Sequence, residues 1–209
     1  MPIVVLGAPR SGTSLVSHIL IKLGVYMGDN FLPADDGNPN GYWEHDVPLG
    51  INKSVLEAAK GSWRDIPSKE RITKSFRNFG DKVEAYITSQ QEPWGWKDPR
   101  TVLIAEPWSF VLRRTELRWV SVWRDLDDTV ASMHKLYGGT VGEWYSVAKE
   151  YRKRQREFVD DWVSRVVTVN FEDIVDREKA PTVITALARF CKLPTHRVEH
   201  AMDAICFRE

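Results

Sequence analysis

The chain has no excess charge of either sign: 29 Lys and Arg stand against 29 Asp and Glu. Binding to nucleic acid or to an anionic membrane through a broad basic field is therefore not expected, although neutrality is compatible with a small, locally basic pocket. Cysteine is scarce. Cys191 and Cys206 show neither a metal-ligand spacing nor a disulfide framework, and both fall in a C-terminal helical pattern, as free thiols in a reducing compartment would. No apolar run approaches the roughly 18 residues of a membrane span, and the first strand signal, at residue 2, leaves no room for a signal peptide. A soluble, cytoplasmic protein is the expectation. The five histidines are dispersed, and no Asp, Glu or His set clusters at metal-ligand spacing. Internal repeats and low-complexity tracts are also missing.

What is present is an ordinary globular composition, 43% hydrophobic and 28% charged over 209 residues, enough for one domain, 1–209, with a substantial core. Nine tryptophans are scattered through it, and most are expected in or at the edge of the core. Buried strands are predicted over Ile3–Leu6, Trp94–Lys97, Leu117–Trp123 and Val166–Val169. Helical patterns cover Thr13–Leu23, Leu49–Ala59, Lys69–Ser89, Leu126–Tyr137, Val141–Val163, Ala180–Cys191 and Thr195–Ala204. Strands alternating with helices imply an α/β fold, a three-layer parallel sheet of about four to five strands flanked by helices. The charged run KEYRKRQREF, 149–158, reads as a solvated helix face. Asp29 to Trp43, rich in Asp, Asn, Gly and Pro, reads as a long surface loop of the kind that often carries function.

The most informative segment is GAPRSGTS, 7–14, between the apolar run 2–6 and the first helix. Strand, glycine loop and helix together cradle a phosphate on backbone N–H groups at a helix N-terminus. The spacing Gly7-x4-Gly12 is that of the nucleotide-triphosphate loop, but Thr13-Ser14 stand where that loop requires Lys-Ser/Thr. A cation, Arg10, lies inside the loop instead. The segment resembles the 5′-phosphosulfate loop of the sulfotransferases, which use 3′-phosphoadenosine 5′-phosphosulfate (PAPS) as donor. The resemblance implies a P-loop nucleotide-hydrolase-like fold and nucleotide binding by Arg10, Ser11, Gly12, Thr13 and Ser14.

Four further segments extend it, in the family's order. VSVWRDLDDTVASMHK, 120–135, places Arg124 at a strand end and Ser132 eight residues on, and looks like the motif that clasps the 3′-phosphate. GYWEHD, 41–46, is similar to the acceptor-side segment of bacterial and Golgi-type sulfotransferases, whose Glu is the general base; this points to Glu44. His45 stays as the alternative, because the cytosolic steroid and phenol enzymes use His, and neighbours on an extended segment face opposite ways. WGWKDPR, 94–100, matches a stretch whose Lys is a catalytic cation beside the leaving group, which makes Lys97 the candidate. VTVNFEDIV, 167–175, resembles the fold's late strand and turn, with Glu172 and Asp173 as caps. The chain lacks the RKGxxGDWK-like segment with which hormone-type enzymes cover the nucleotide, so what closes the site is open.

The activity implied is in-line transfer of a sulfuryl group from PAPS to an acceptor hydroxyl or amine, releasing 3′-phosphoadenosine 5′-phosphate (PAP), with no metal expected. Catalysis would rest on Arg10, Lys97 and Glu44. The acceptor, whether small molecule, carbohydrate, lipid or peptide, and the oligomeric state are not legible. His18 reads as a packed or surface histidine, and His134 stays unassigned. A P-loop kinase would need the missing lysine and a Mg²⁺-holding carboxylate, for which Asp98 and Asp125 are the candidates after strands. A non-catalytic nucleotide-binding module is the remaining alternative.

Overall fold

The computed structural model describes residues 1–31, 33 and 41–205. Part of the expected 29–43 loop and Cys206 lie outside the described residues. Four short apolar segments form the sheet: β1 (Pro2–Leu6), β2 (Trp94–Lys97), β3 (Arg118–Trp123) and β4 (Val166–Asn170). They pair in the order β2-β1-β3-β4, all parallel. Burial on both faces is why central β1 reads as a continuous apolar run, whereas the edge strand β4 is buried fully only at Val169.

Alternation of side chains along β1 divides the core. Val4 and Leu6 join the cluster containing Trp96, Trp108 and Trp119, whereas Ile3 and Val5 join Ile19, Leu20 and Ile184. The first cluster is covered by α2 (Asp46–Ala58), α3 (Lys69–Phe76), α4 (Gly80–Thr88), α5 (Thr101–Leu112), α6 (Leu126–Tyr137) and α7 (Val141–Asp161). The second is covered by α1 (Thr13–Leu23), α8 (Phe171–Val175), α9 (Ala180–Phe190) and α10 (Val198–Met202). Helices on both faces of one parallel sheet make the three-layer α/β architecture expected from the alternating pattern.

Three differences from the sequence pattern have physical causes. The helix expected over 69–89 is broken by a 3₁₀ turn, Arg77–Phe79, where Asn78 and Gly80 are weak helix formers. α5 has no counterpart among the expected helices: TVLIAEPWSFVL is apolar almost all round, so it shows no amphipathic period, and Pro107 sits inside it. The charged helix α7 is not solvated throughout, because Tyr151, Arg154, Gln155 and Phe158 are buried. Gln155 is drawn in to donate to Ser121 Oγ at 2.8 Å and to the Val122 carbonyl at 3.0 Å.

All four strands end at the same edge. The loop after β1 and the loop after β3 emerge side by side there, with β2 and β4 on opposite flanks. Open α/β sheets bind ligands at such a divergence of connections. No helix among the described residues is long and apolar enough to cross a membrane.

Candidate active site

The β1–α1 loop is held in shape by contacts that leave its tip open. Ser11 donates from both its amide, at 3.2 Å, and its hydroxyl, at 2.7 Å, to the Ala8 carbonyl. Of the loop residues expected to bind nucleotide, Ser11 is therefore buried and turned inward as a brace. Gly7 leaves no room for a Cβ, which would lie 2.5 Å from Thr13 Cγ2. Gly12 has φ 93°, and a Cβ there would come within 2.2 Å of the Phe171 ring, so both conformation and space demand glycine. Arg10 also adopts a left-handed φ, 70°, an uncommon conformation for a residue with a side chain and one typical of functional loops.

Gly12 caps α1 without a side-chain hydrogen bond, and the first turn carries no acidic residue. The helix thus presents its amide end and partial positive charge to the cleft. That cleft, about 210 Å³, is lined by Arg10, Gly12, Thr13 and Ser14 from the loop, Tyr42 to Glu44, Lys97, Arg124, Tyr137 and Phe171.

Two side-chain groups organise it. In the first, Arg10 Nε donates to Ser132 Oγ at 3.0 Å, and Arg124 Nη1 donates to the Arg10 carbonyl at 3.1 Å. The Arg124 guanidinium also lies over Phe171, 4.6 Å from the ring centre. Residues 122 apart in sequence, Arg10 and Ser132, are thereby joined. Ser132 meets the cleft through Arg10 rather than by lining it.

In the second group, Lys97 Nζ donates to Glu44 Oε1 at 2.8 Å and to Ser14 Oγ at 3.2 Å. Lys97 is 1% exposed and Glu44 5%. Burial pushes the Glu44 carboxyl above the usual range, with Lys97 and Arg100 opposing and Asp98 reinforcing. Burial likewise pulls the Lys97 ammonium below its usual range, against the attraction of Glu44. Both groups are thus drawn toward proton exchange. Arg100 Nη1 stands 3.7 Å from Glu44 Oε2 and 2.8 Å from Asp98 Oδ1. Asp98, fully buried, accepts further from the Arg100 amide at 3.1 Å and from Asn52 Nδ2 at 2.9 Å, and Trp108 Nε1 fixes Asn52 Oδ1 at 2.9 Å. A chain of paired polar groups therefore runs from the core tryptophan to the cleft.

His45 faces elsewhere. It lines a separate cavity with Tyr26 and Tyr86, its Nε2 is 3.4 Å from Asp46, and burial holds its pKa below the ordinary value. Of the two adjacent candidates for the base, Glu44 is the one in the cleft with Arg10 and Lys97. His18, expected to be a packed or surface histidine, stacks its ring on Trp43 with centres 4.5 Å apart, at the cleft wall. His134 is exposed on α6. Glu172 Oε1 accepts from the Asp125 amide at 2.9 Å, and Asp173 from Asn170 and Lys179.

The sequence pattern did not single out Asn52, Asp98 and Arg100 as supports of Glu44, although Asp98 and Arg100 lie in the quoted WGWKDPR. Tyr137 carries no local signal, and Phe171 lies in the quoted VTVNFEDIV with no site role attached; each reaches the cleft because its helix is packed there. Among the described residues no three His, Cys, Asp or Glu side chains gather as a metal site would require.

The chain matches the family described as "Sulfotransferase family" over residues 2–197. Among solved structures it resembles the sulfotransferase domain of the Synechococcus PCC 7002 olefin synthase. The TM-score is 0.54 at 16% identity, covering 96% of this chain and 77% of that one. It is also similar to the sulfotransferase domain from the curacin biosynthetic pathway, with a TM-score of 0.48, 16% identity, and 93% and 75% of the two chains covered. No curated protein matches the chain.

Proposed function

Because the chain belongs to the sulfotransferase family, we propose that it transfers a sulfuryl group from PAPS to an acceptor hydroxyl or amine, releasing PAP. The observation that carries this reading is the pairing of Glu44 with Lys97 directly across from the glycine loop, in one cleft that also holds Arg10 and Arg124. The donor set fits a doubly phosphorylated nucleotide. Three cations from the ends of three different strands, and an uncapped helix N-terminus with no acid in its first turn, surround a single cleft.

PAPS, when bound, supplies the activated sulfuryl group and a phosphate-bearing leaving group. The amides and hydroxyls of Thr13 and Ser14, with Arg10, hold the 5′ side, and Arg124 holds the 3′-phosphate while Ser132 positions Arg10. Glu44 accepts the acceptor proton at its carboxylate as the new bond to sulfur forms. Lys97 stabilises negative charge between the loop and Glu44. Arg100, 3.7 Å from the Glu44 carboxylate, favours its charged form against the effect of burial.

The carboxylates that a kinase would need are committed elsewhere. Asp98 is occupied by Arg100 and Asn52, and Asp125 caps α6 by accepting from the amides of Asp127 and Asp128 at 2.8 and 3.1 Å.

The test is a thermal shift of the purified protein with PAP in the absence of divalent metal and, separately, with Mg-ATP. A ligand at a hundred times its Kd stabilises by about 2.7 kcal/mol. Raising of the melting temperature by PAP and not by Mg-ATP supports the donor reading; the reverse overturns it.

A further inference from the structure

Three consecutive residues, Tyr42, Trp43 and Glu44, line the same cleft. On an uninterrupted extended segment neighbours would face opposite ways, so the chain must turn among them. The turn is at Trp43, whose φ is 54°. A left-handed backbone is ordinary for glycine and an outlier for a bulky aromatic residue. Such a conformation persists only where its surroundings hold it, and it gathers at functional positions.

Two rings hold Trp43 in it. The indole stacks on His18, with centres 4.5 Å apart and planes 17° from parallel, and Phe31 meets it edge-on at 5.3 Å. His18 lies one turn beyond Ser14 on the same side of α1, and Ser14 Oγ donates to the Tyr42 carbonyl at 3.2 Å. The first helix therefore grips two successive residues immediately before Glu44. Just beyond Glu44 the chain is tied again, where the Asp46 amide donates to the Asn30 carbonyl at 3.1 Å.

The same helix is tied to the partner of Glu44. Lys97 Nζ donates to Ser14 Oγ at 3.2 Å and to Glu44 Oε1 at 2.8 Å. Both ends of the Glu44–Lys97 pair are thus referred to α1, one through Ser14 and the other through the stack of His18 on Trp43.

We propose that Trp43 is a positioning residue for Glu44: its left-handed backbone and its stack on His18 aim the carboxylate at Lys97, beside the phosphate-type loop. A carboxylate held on a fixed backbone by rigid neighbours keeps the geometry that proton transfer requires. Only the description of Glu44 as the base rests on the sulfotransferase reading above; its alignment with Lys97 does not.

The experiment is a double-mutant cycle of Glu44→Gln and Lys97→Met, read by denaturant melts without nucleotide and repeated in the backgrounds Trp43→Gly, His18→Ala and Trp43→Phe. Lys97→Gln takes the place of Lys97→Met if the latter does not fold. In the otherwise unaltered protein the two substitutions are expected to couple by about tenfold in the unfolding equilibrium constant, within the range for residues in contact. Trp43→Gly leaves the left-handed backbone accessible and removes the ring, and His18→Ala leaves that backbone and removes the ring's partner. Each should reduce the coupling to about threefold or less, whereas Trp43→Phe, which can still stack, should retain it. A packing role alone would lower the stability of every member of the cycle equally and leave the coupling unchanged, and that result overturns the proposal. So does an absence of coupling in the unaltered protein, or a loss in Trp43→Phe as complete as in Trp43→Gly. No nucleotide is present, so the donor reading stands or falls separately, on the thermal shift with PAP.

Discussion

Lys97 Nζ lies 2.8 Å from Glu44 Oε1 and 3.2 Å from Ser14 Oγ, so one buried ammonium joins the proposed base to the phosphate-type loop. The three residues come from β2, from the segment preceding α2 and from the first turn of α1. In the proposed reaction such a bridge couples proton acceptance on one side of the cleft to charge stabilisation on the other. It also makes the charge state of each partner depend on the other, since neither is solvated well enough to ionise alone.

Removal of the base should separate chemistry from binding. Glu44→Gln is expected to lower kcat by about 10²–10⁴-fold, the usual contribution of a positioned general base, with PAP affinity retained. Steady-state kinetics and PAP calorimetry on the same preparation check this; unchanged turnover would refute the assignment.

Loss of the ammonium should cost stability as well as rate. Lys97→Met leaves Glu44 buried without its closest cation, and truncating one partner of a buried pair costs about 3–5 kcal/mol. Denaturant melts should show the loss, and the double variant Lys97→Met with Glu44→Gln should regain part of it, because no charge then remains unpaired.

The nucleotide clasp predicts a defect in binding rather than in folding. Arg124→Ala is expected to weaken PAP by about 1.5–3 kcal/mol, the value of a hydrogen bond to a charged group. Ser132→Ala releases Arg10 Nε and should have a smaller effect in the same direction. An unchanged PAP Kd in Arg124→Ala would remove this residue from the site.

The acid limb of the kcat profile should report Glu44. Burial is the largest influence on its carboxyl and raises it, Lys97 and Arg100 lower it, and Asp98 raises it. The active form is the carboxylate, so activity falls as pH drops through that raised value, at a higher pH than an exposed glutamate would give. Arg100→Gln removes a cation and should move the limb further up, whereas Asp98→Asn removes a negative charge and should move it down. Shifts of the same sign in both variants would contradict an electrostatic role.

Cys191 should be inert in the native state. Burial pushes its thiol up to about 12, so almost no thiolate exists at neutral pH. In a Cys206→Ser background, an alkylating reagent should modify the folded protein slowly and the denatured protein at the rate of a free thiol. Fast native labelling would show that α9 opens readily.

Sequence by itself determined the sheet and the ingredients of the cleft. Apolar runs bounded by turn residues located β1 to β4, and helical periodicity located α1 and α6 to the residue, because local pattern and burial agree there. The glycine loop was legible from its spacing; the demand on Gly7 is local, set by Ser11 and Thr13, whereas space at Gly12 is taken by Phe171, far along the chain. The sulfotransferase resemblance was legible since its motifs sit at strand ends, which any parallel sheet brings to one edge.

Tertiary structure alone decided which of those residues meet. Glu44 and His45 are adjacent and chemically both suited to take a proton, and only the path of the chain into α2 turns one to the cleft and the other to a separate cavity. Ser11 looked equivalent to Thr13 and Ser14 until the Ala8 carbonyl claimed its hydroxyl. α5 escaped notice because a helix buried almost all round has no polar face to set a period. Asn52, Asp98 and Arg100 support Glu44, and Tyr137 shares its cleft, through contacts between residues far apart in the chain. Such contacts depend on packing between helices rather than on any local pattern, so they appear only once the layers are assembled.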